Sequence, residues 1–285
     1  MIQSMTGYGK TVLQLPTKKI TIELKSLNSK NLDLNVRIPS YYREKELNIR
    51  KKLASVLVRG KIDFSIYIES NGGEVSSKVN ENAVKEYMSQ LRNIVDENEV
   101  ELLKMAVRLP DSLKTEREEL DEEEWKEIES GIEDAIEKIK QYRLDEGVSM
   151  QADFDLRISI IEELLEKIIE VDPKRIEYVK EKIKKSIDEL EAKIDESRFE
   201  QELIYYIEKL DITEEKVRLK NHLDYFRKEL KEEISNGKKL GFITQEIGRE
   251  INTIGSKSNF ADMQKLVVQM KDELEKIKEQ NLNVL

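Results

Sequence analysis

Ile62-Asp63-Phe64-Ser65-Ile66-Tyr67-Ile68 alternates apolar and polar side chains without a break. Successive side chains of a β-strand point to opposite faces, so this alternation predicts a strand with one face packed on a hydrophobic core. Residues 20–25 and 32–38 alternate in the same way, and residues 5–15 are expected to form a further strand at the edge. The beginning of the chain is therefore predicted to contain a small sheet.

One helix is predicted among these strands. Leu47, Leu53 and Leu57 recur at helical intervals within residues 44–58, and Gly60 follows as a helix stop. Strands grouped around a single helix indicate a small α+β unit.

The chain beyond residue 80 is predicted to be almost entirely helical. Pro110 ends a first helix, a bend is expected around Gly147, and Asp172-Pro173 is typical of a helix start, where the missing proline N–H costs nothing. The predicted helices occupy residues 82–105, 125–142, 148–169 and 174–195. The spacing of the last ones suggests an antiparallel helical hairpin that extends from the body.

The predicted fold class is α+β, predominantly α, with a small β-rich N-terminal module followed by long helices and a C-terminal helical domain. We divide the chain into an N-terminal region over 1–155, strand-rich over 1–75, a charged helical hairpin or connector over 156–200, and a C-terminal helical domain over 201–285.

Composition excludes several classes of site. The 285 residues contain no cysteine, which rules out disulfides, thiolate metal sites and cysteine nucleophiles. No run approaches the roughly 18 apolar residues of a membrane span, and the first residues do not resemble a secretion signal. We expect a soluble, cytoplasmic protein with no membrane partner.

The net charge of −10 is unevenly distributed. Residues 1–70 contain 13 Lys and Arg against 6 Asp and Glu, residues 71–215 contain 22 against 42, and residues 216–257 contain 10 against 6. Phosphate binding depends on local potential, so the two basic regions are compatible with a nucleic-acid partner. Long helices with acidic solvent faces would explain the same distribution.

A helix predicted from Thr213 onward carries the only histidine of the chain. Glu215, Arg218 and His222 follow at i, i+3 and i+7, which places them within about 60° of arc on one face. Asp211 lies one turn before Glu215 and could join them. The apolar residues of this helix occupy another face and are expected in the core: Leu219, Leu223 and Phe226.

A second helix, over residues 241–257, has a buried stripe of isoleucines at 243, 247, 251 and 254. Its opposite stripe is polar and consists of Glu246, Arg249, Glu250, Thr253 and Lys257. Two carboxylates four residues apart can share a divalent ion, and neighbouring Arg and Lys can hold phosphate oxygens. Gly248 and Gly255 each weaken a helix by about 1 kcal/mol relative to alanine, which indicates close approach of another backbone or of a ligand. Ordinary ion-paired faces would look the same, and periodicity alone cannot show that the two polar stripes meet.

At these residues the sequence resembles the YicC/YloC family of bacterial endoribonucleases. The resemblance spans nearly the whole chain and is most specific at both ends: Ser4-Met5-Thr6-Gly7-Tyr8-Gly9, Glu23-Leu24-Lys25-Ser26-Leu27-Asn28, Arg59-Gly60-Lys61, Asp211-Ile212-Thr213-Glu214-Glu215, Gln245-Glu246, Arg249-Glu250, Asn252-Thr253 and Gly255-Ser256-Lys257. Asn28-Ser29-Lys30 departs from the family's Asn-His-Arg-like triplet, and Gly241 stands where an aspartate is usual.

The resemblance implies cleavage of single-stranded RNA by a homo-oligomer, a hexamer, with Mn²⁺ or Mg²⁺ as cofactor. We assign catalytic roles to His222, Glu246, Glu250 and Arg249 as a hypothesis. The hypothetical metal ligands are Asp211, Glu214, Glu215, Glu246, Glu250 and His222. The hypothetical RNA contacts are Lys25, Lys30, Arg59, Lys61, Arg218, Asn252 and Lys257.

Two alternatives stay open. The chain could be a non-catalytic RNA-binding or adaptor protein whose hairpin recruits a processing enzyme, or a helical assembly with no role in RNA. Few aromatic residues flank the basic ones, so stacking of bases on the protein is not predicted. The RNA sequence, the working ion and the attacking group, water or a ribose 2′-hydroxyl, are not predicted either.

Overall fold

The computed structural model describes residues 2–70, 78–95, 97–114, 121–188 and 196–285. The strands are β1 Gly7–Gln14, β2 Lys18–Leu27, β3 Leu32–Arg37, β4 Gly60–Ser70, β5 Lys78–Val79 and β6 Leu113–Lys114. The α-helices are α1 Glu46–Leu57, α2 Glu81–Arg92, α3 Glu99–Ala106, α4 Glu122–Asp188, α5 Glu196–Lys209, α6 Thr213–Leu230, α7 Gly237–Lys257 and α8 Ala261–Asn281.

The first strands form a four-stranded sheet in the order β1-β2-β4-β3. β2 pairs antiparallel with β1 and β4, whereas β3 runs parallel to β4. The predicted alternation is realised, because Ile22 of β2 faces Ile66 of β4 and both are buried. These side chains pack with Leu53 of α1 and Ile132 of α4 in one core. The strands, the edge position of β1 and the intervening helix are confirmed.

α4 is one continuous helix, so the predicted breaks within it are wrong. A Cβ atom on Gly147 would lie 2.0 Å from the Ile2 carbonyl oxygen, so this glycine admits the N-terminal segment, and the helix continues past it. Pro173 lies inside the helix. The Asp172 carboxylate next to it accepts from Arg175 and from Lys216 of α6, each at 2.8 Å, and these contacts offset the hydrogen bond that proline removes. Residues 189–195 of the predicted hairpin lie outside the described residues.

The helix predicted over residues 82–105 is in fact two helices. α2 ends at Arg92, and α3 begins after Asn98, whose side chain accepts a hydrogen bond from the Glu101 amide at 3.0 Å. An asparagine in this position caps a helix start and therefore favours a new helix over the continuation of the old one.

A second core is formed by the distal half of α4 with α6, α7 and α8. The rings of Phe154 on α4 and Phe226 on α6 meet edge to face, with centroids 5.7 Å apart. The isoleucine stripe predicted on α7 is buried here, as are Leu219 and Leu223 of α6. Since α4 contributes to both cores, it joins the sheet to the helices that carry the polar stripes.

The two ends of the chain pair with each other. The Met5 amide donates to the Asn283 carbonyl at 2.8 Å, and the Leu285 amide donates to the Gln3 carbonyl at 2.9 Å. In the part of the chain that the structure describes, no helix has both the length and the hydropathy needed to cross a membrane.

Candidate metal centre

The polar stripes of α6 and α7 face each other. Lys257 near the end of α7 pairs with Glu215 near the start of α6, whereas Lys239 near the start of α7 pairs with Glu229 near the end of α6. The two helices are therefore antiparallel. We call the row formed by Glu215, His222 and Glu229 with Lys257, Glu250 and Lys239 the α6–α7 seam.

The middle of the seam brings three potential metal ligands together. One ligand atom each from His222, Glu246 and Glu250 lies within 4.8 Å of the other two. Glu246 and Glu250 are one turn apart on α7, so both carboxylates extend from the same face toward the imidazole of α6. Ligand atoms that bind one divalent ion at about 2.1 Å are about 3 to 4 Å apart, so three atoms this close together are within reach of a shared ion after side-chain adjustment.

The exposure of these groups differs along the cluster. Glu250 is 4% exposed, His222 is half-buried and Glu246 is exposed. Among the residues that the structure describes, the Glu250 carboxylate has no hydrogen-bond donor and no cation within ion-pair distance. A carboxylate on a largely buried side chain is stabilised by a positively charged partner, which a bound cation would supply. One imidazole and two carboxylates suit Mn²⁺, and the two carboxylates without the imidazole also suit Mg²⁺, which prefers oxygen ligands.

The structure does not bring Glu215 into this cluster. Glu215 lies seven residues before His222, about 10 Å along the helix. Its Oε1 accepts from the Lys257 ammonium at 2.7 Å, and Lys257 also donates to the Asp211 carbonyl at 2.9 Å. Glu215 Oε2 is buried without a hydrogen-bond partner among the described residues. Lys257, predicted to contact RNA, is thus engaged by the protein itself.

Asp211 and Glu214 also lie outside the cluster. The Asp211 carboxylate accepts from the Thr213 hydroxyl at 2.8 Å and from the Thr213 amide. The hydroxyl contact is the main reason why the pKa of Asp211 lies below its ordinary value. Glu214 forms an ion pair with Arg218 on the exposed surface of α6. Asp211 therefore organises the start of α6.

Two further predicted residues of α7 point away from the core. Arg249 is largely exposed, and its guanidinium lies 3.9 Å from the Glu246 carboxylate at the edge of the metal cluster. Asn252 is exposed and lies two residues beyond Glu250, about 200° around the helix. Arg249 is thus placed beside the cluster, whereas Asn252 is on the other side of α7.

The predicted N-terminal RNA contacts collect at one end of the sheet. Lys30 and Lys61 are exposed, and Lys25 pairs with Glu23 at 3.2 Å. Arg59 is half-buried, and its Nε lacks a hydrogen-bond partner among the described residues. Asn28, in the link after β2, donates to the Leu282 carbonyl at 2.7 Å, so this end of the sheet contacts the C-terminus.

Gly248 and Gly255 of α7 allow α8 to pack closely against α7. A Cβ atom on Gly248 would lie 3.1 Å from the Leu274 side chain, and one on Gly255 would lie 3.0 Å from Val267. The nearest protein neighbours are therefore side chains of α8 and not another backbone. Sequence reasoning missed Glu229, although its position seven residues after His222 continues the spacing of the stripe.

Comparison with known proteins matches both parts of the chain. Residues 2–152 match the family model described as "Endoribonuclease YicC-like, N-terminal region", and residues 168–285 match "Endoribonuclease YicC-like, C-terminal". A protein named probable endoribonuclease YicC from Clostridioides difficile (strain 630) is 33% identical over 293 aligned positions, which cover all of both chains. A protein of the same name from Haemophilus influenzae (strain Rd) is 27% identical over 289 positions, again over the full length of both.

Proposed function

The chain belongs to the YicC-like endoribonuclease family, and from this membership we propose that it cuts RNA internally. We further propose that the reaction depends on a divalent cation, Mn²⁺ or Mg²⁺, held by His222, Glu246 and Glu250. The single observation that carries the metal proposal is the convergence of one ligand atom each from His222, Glu246 and Glu250 within 4.8 Å of one another.

Such a cation, when bound, supplies positive charge that stabilises the charge developing on a scissile phosphate. Glu250 anchors the site from the buried side, and the exposed Glu246 leaves the other side open to a substrate. His222 either completes the ligand set or moves a proton at a reacting oxygen, and both roles suit an imidazole near neutral pH. Arg249 is exposed beside the carboxylates and is positioned to hold a phosphate oxygen.

The substrate that we propose is single-stranded RNA. The basic side chains at the end of the sheet, Lys25, Lys30, Arg59 and Lys61, would attract the strand through its phosphates. We also propose that the working form is a homo-oligomer, with the hexamer as the expected size.

The metal proposal is tested with the full-length protein, a labelled single-stranded RNA and defined Mn²⁺ or Mg²⁺. Glu250→Gln and His222→Ala should each slow internal cleavage by about 100-fold or more, the scale of losing one electrostatic contribution to a transition state. EDTA should abolish cleavage, and added Mn²⁺ should restore it. Glu250→Gln should also weaken Mn²⁺ binding measured by calorimetry, a readout that does not depend on activity.

The matched control is Glu275→Gln, because Glu275 is an exposed helical glutamate on α8. It should cleave and bind Mn²⁺ like the wild type. Wild-type rates in folded Glu250→Gln would refute the assigned cluster, and cleavage that survives EDTA would refute the metal requirement. RNA binding without cleavage under every condition would favour the adaptor alternative.

A further inference from the structure

A groove of about 240 Å³ lies between the distal part of α4, the end of α5 and the turn between α7 and α8. The pockets that bind drug-sized molecules are larger, from about 300 Å³ upward, so this volume suits a smaller group. The groove is lined by Tyr178, Val179, Lys182, Ile183, Ser186, Tyr206, Leu210 and Asn259.

Two aromatic rings line the groove. Tyr178 on α4 and Tyr206 on α5 both line the groove and are 45% and 44% exposed, so part of each ring is open to solvent. The ring of Phe260 lies 5.7 Å from that of Tyr178, centroid to centroid, and braces it. Aromatic faces of this kind stack on nucleobases with little regard to sequence, because every base has a π-face.

Polar groups of the groove could contact the phosphate and the base edge of a nucleotide. Lys182 supplies an ammonium group suited to a phosphate, and the Asn259 amide can donate and accept at the edge of a base. An aliphatic side chain from another protein would leave both of these groups unused. The combination of rings, amide and cation therefore favours a nucleotide as the occupant.

The local charge also differs from that of the surrounding chain. Residues 174–188 of α4 contain six Lys and Arg against three Asp and Glu, although residues 71–215 as a whole are strongly acidic. α5 contains four acidic and two basic residues, so the two walls together are close to neutral with a cationic α4 side. Phosphates would meet this side first.

The groove is connected to the metal cluster by α6. Arg175 donates to the Leu210 carbonyl at 3.0 Å and so fixes the link between the groove and the start of α6. His222 lies nine residues after the first residue of α6, about 14 Å along the helix. At the duplex rise of about 3.4 Å per phosphate, about four nucleotides span this length of α6, and fewer are needed if the RNA strand is extended.

We propose that this groove receives one unpaired base of the RNA strand whose scissile phosphate lies at His222, Glu246 and Glu250. The inference rests on the proposed function, because only an RNA substrate connects the two places. It adds a stacking subsite that the spacing of aromatic residues in the sequence does not predict, since Tyr178 and Tyr206 lie on different helices.

The test measures binding of a short fluorescent single-stranded RNA by the full-length protein in EDTA, so that no cleavage intervenes. Tyr178→Leu and Tyr206→Leu should each weaken binding about tenfold. Tyr178→Phe and Tyr206→Phe should keep it, because the stacking face remains. The matched control is Tyr205→Leu, since Tyr205 is the neighbouring exposed tyrosine of α5 and does not line the groove.

Charge is tested by the same assay. Lys182→Gln should weaken RNA binding more than Lys180→Gln, which removes the same charge from an exposed position of α4 outside the groove. An RNA that carries 4-thiouridine should crosslink on irradiation to the groove, and mass spectrometry should locate the adduct at Tyr178 or Tyr206.

Several results would overturn the proposal. One is equal RNA affinity of the leucine variants and Tyr205→Leu, with helical content unchanged. Another is a lower particle mass of the Tyr178→Leu and Tyr206→Leu variants in light scattering, with unchanged RNA affinity. That result would assign the groove to contact with a second copy of the chain. These measurements do not depend on cleavage, so the groove can fail while cleavage is normal, and the metal proposal can fail while base binding persists.

Discussion

Lys257 connects two residues that the sequence suggested as metal ligands. Its ammonium group contacts the Glu215 carboxylate and the Asp211 carbonyl, and Glu215 is only 6% exposed. In this setting the lysine neutralises a buried charge, whereas a role in RNA binding would require it to leave that partner. The two interpretations predict different consequences of its removal.

Lys257→Met should lower the free energy of unfolding by about 2 kcal/mol or more, because it leaves Glu215 buried and unpaired. Lys265→Met is the control, since its pair with Asp262 is largely exposed and is expected to contribute under about 1 kcal/mol. Urea denaturation measures both. The double variant Lys257→Met/Glu215→Gln should recover part of the loss, and equal stability of the two lysine variants would contradict the structural role.

At the scale of elements, α4 shows what local sequence could and could not predict. Helical periodicity was sufficient to predict helix on both sides of Gly147 and Pro173. It could not reveal that Ile2 approaches Gly147, or that Lys216 of a distant helix contacts Asp172 beside the proline. Both breaks were predicted from local rules that tertiary contacts override.

The α6–α7 seam could also be predicted only in part from the sequence. The spacing of Glu215 and His222 on α6, and of Glu246 and Glu250 on α7, predicted which side chains share a face. The relative register of the two helices is set by core packing, and it places Glu250 opposite His222 and Lys257 opposite Glu215. Sequence periodicity contains no information on that register, so it could not separate ligands that converge from those that lie two turns away.

A second contact between elements has a defined dependence on pH. Glu273 of α8 accepts from Arg157 of α4 at 3.0 Å and from Lys276. Burial tends to raise the pKa of Glu273, but the hydrogen bonds from Lys276 and Arg157 outweigh it and the pKa lies below its ordinary value of 4.5. Because the folded state has the lower pKa, this contact stabilises the protein above about pH 4.5 and the stabilisation is lost as pH falls through the folded pKa.

Glu273→Gln should therefore reduce stability at pH 7 and flatten its decline between pH 6 and pH 3. Chemical denaturation at several pH values measures this difference in slope. Glu275→Gln, which alters an exposed glutamate two residues away, should decline with pH like the wild type. Parallel curves for wild type and Glu273→Gln would show that Glu273 protonates alike in the folded and unfolded states.

At the scale of the whole molecule, the sheet and the helices that carry the seam are held in one framework. α4 packs in both cores, and the N-terminal segment pairs with the last residues of the chain. The Asn28 contact with Leu282 adds a link from the basic end of the sheet to the C-terminus. An RNA strand guided by the basic end of the sheet would therefore reach α6 and α7, which these contacts hold in place relative to the sheet.

The proposed assembly into a homo-oligomer is a further property at the scale of the whole molecule. The segment that begins with β5 and ends with β6 exposes large apolar side chains by more than half their area: Val79, Ile94, Val100 and Leu113. Exposed apolar side chains grouped on one segment are typical of a surface that another protein covers. For the proposed homo-oligomer, that protein would be a second copy of the chain.

Light scattering of the wild type should accordingly give a multiple of the 33.4 kDa chain mass, six copies for the expected hexamer. Ile94→Asp/Val100→Asp should lower the mass and, if subunits complete the RNA path, cleavage with it. Leu47→Asp is the control, because Leu47 is 61% exposed on α1 outside this segment. A single-copy mass for the wild type would refute assembly. An unchanged particle mass of the double variant would place the interface elsewhere, because two aspartates buried at an apolar interface are too unfavourable to be tolerated.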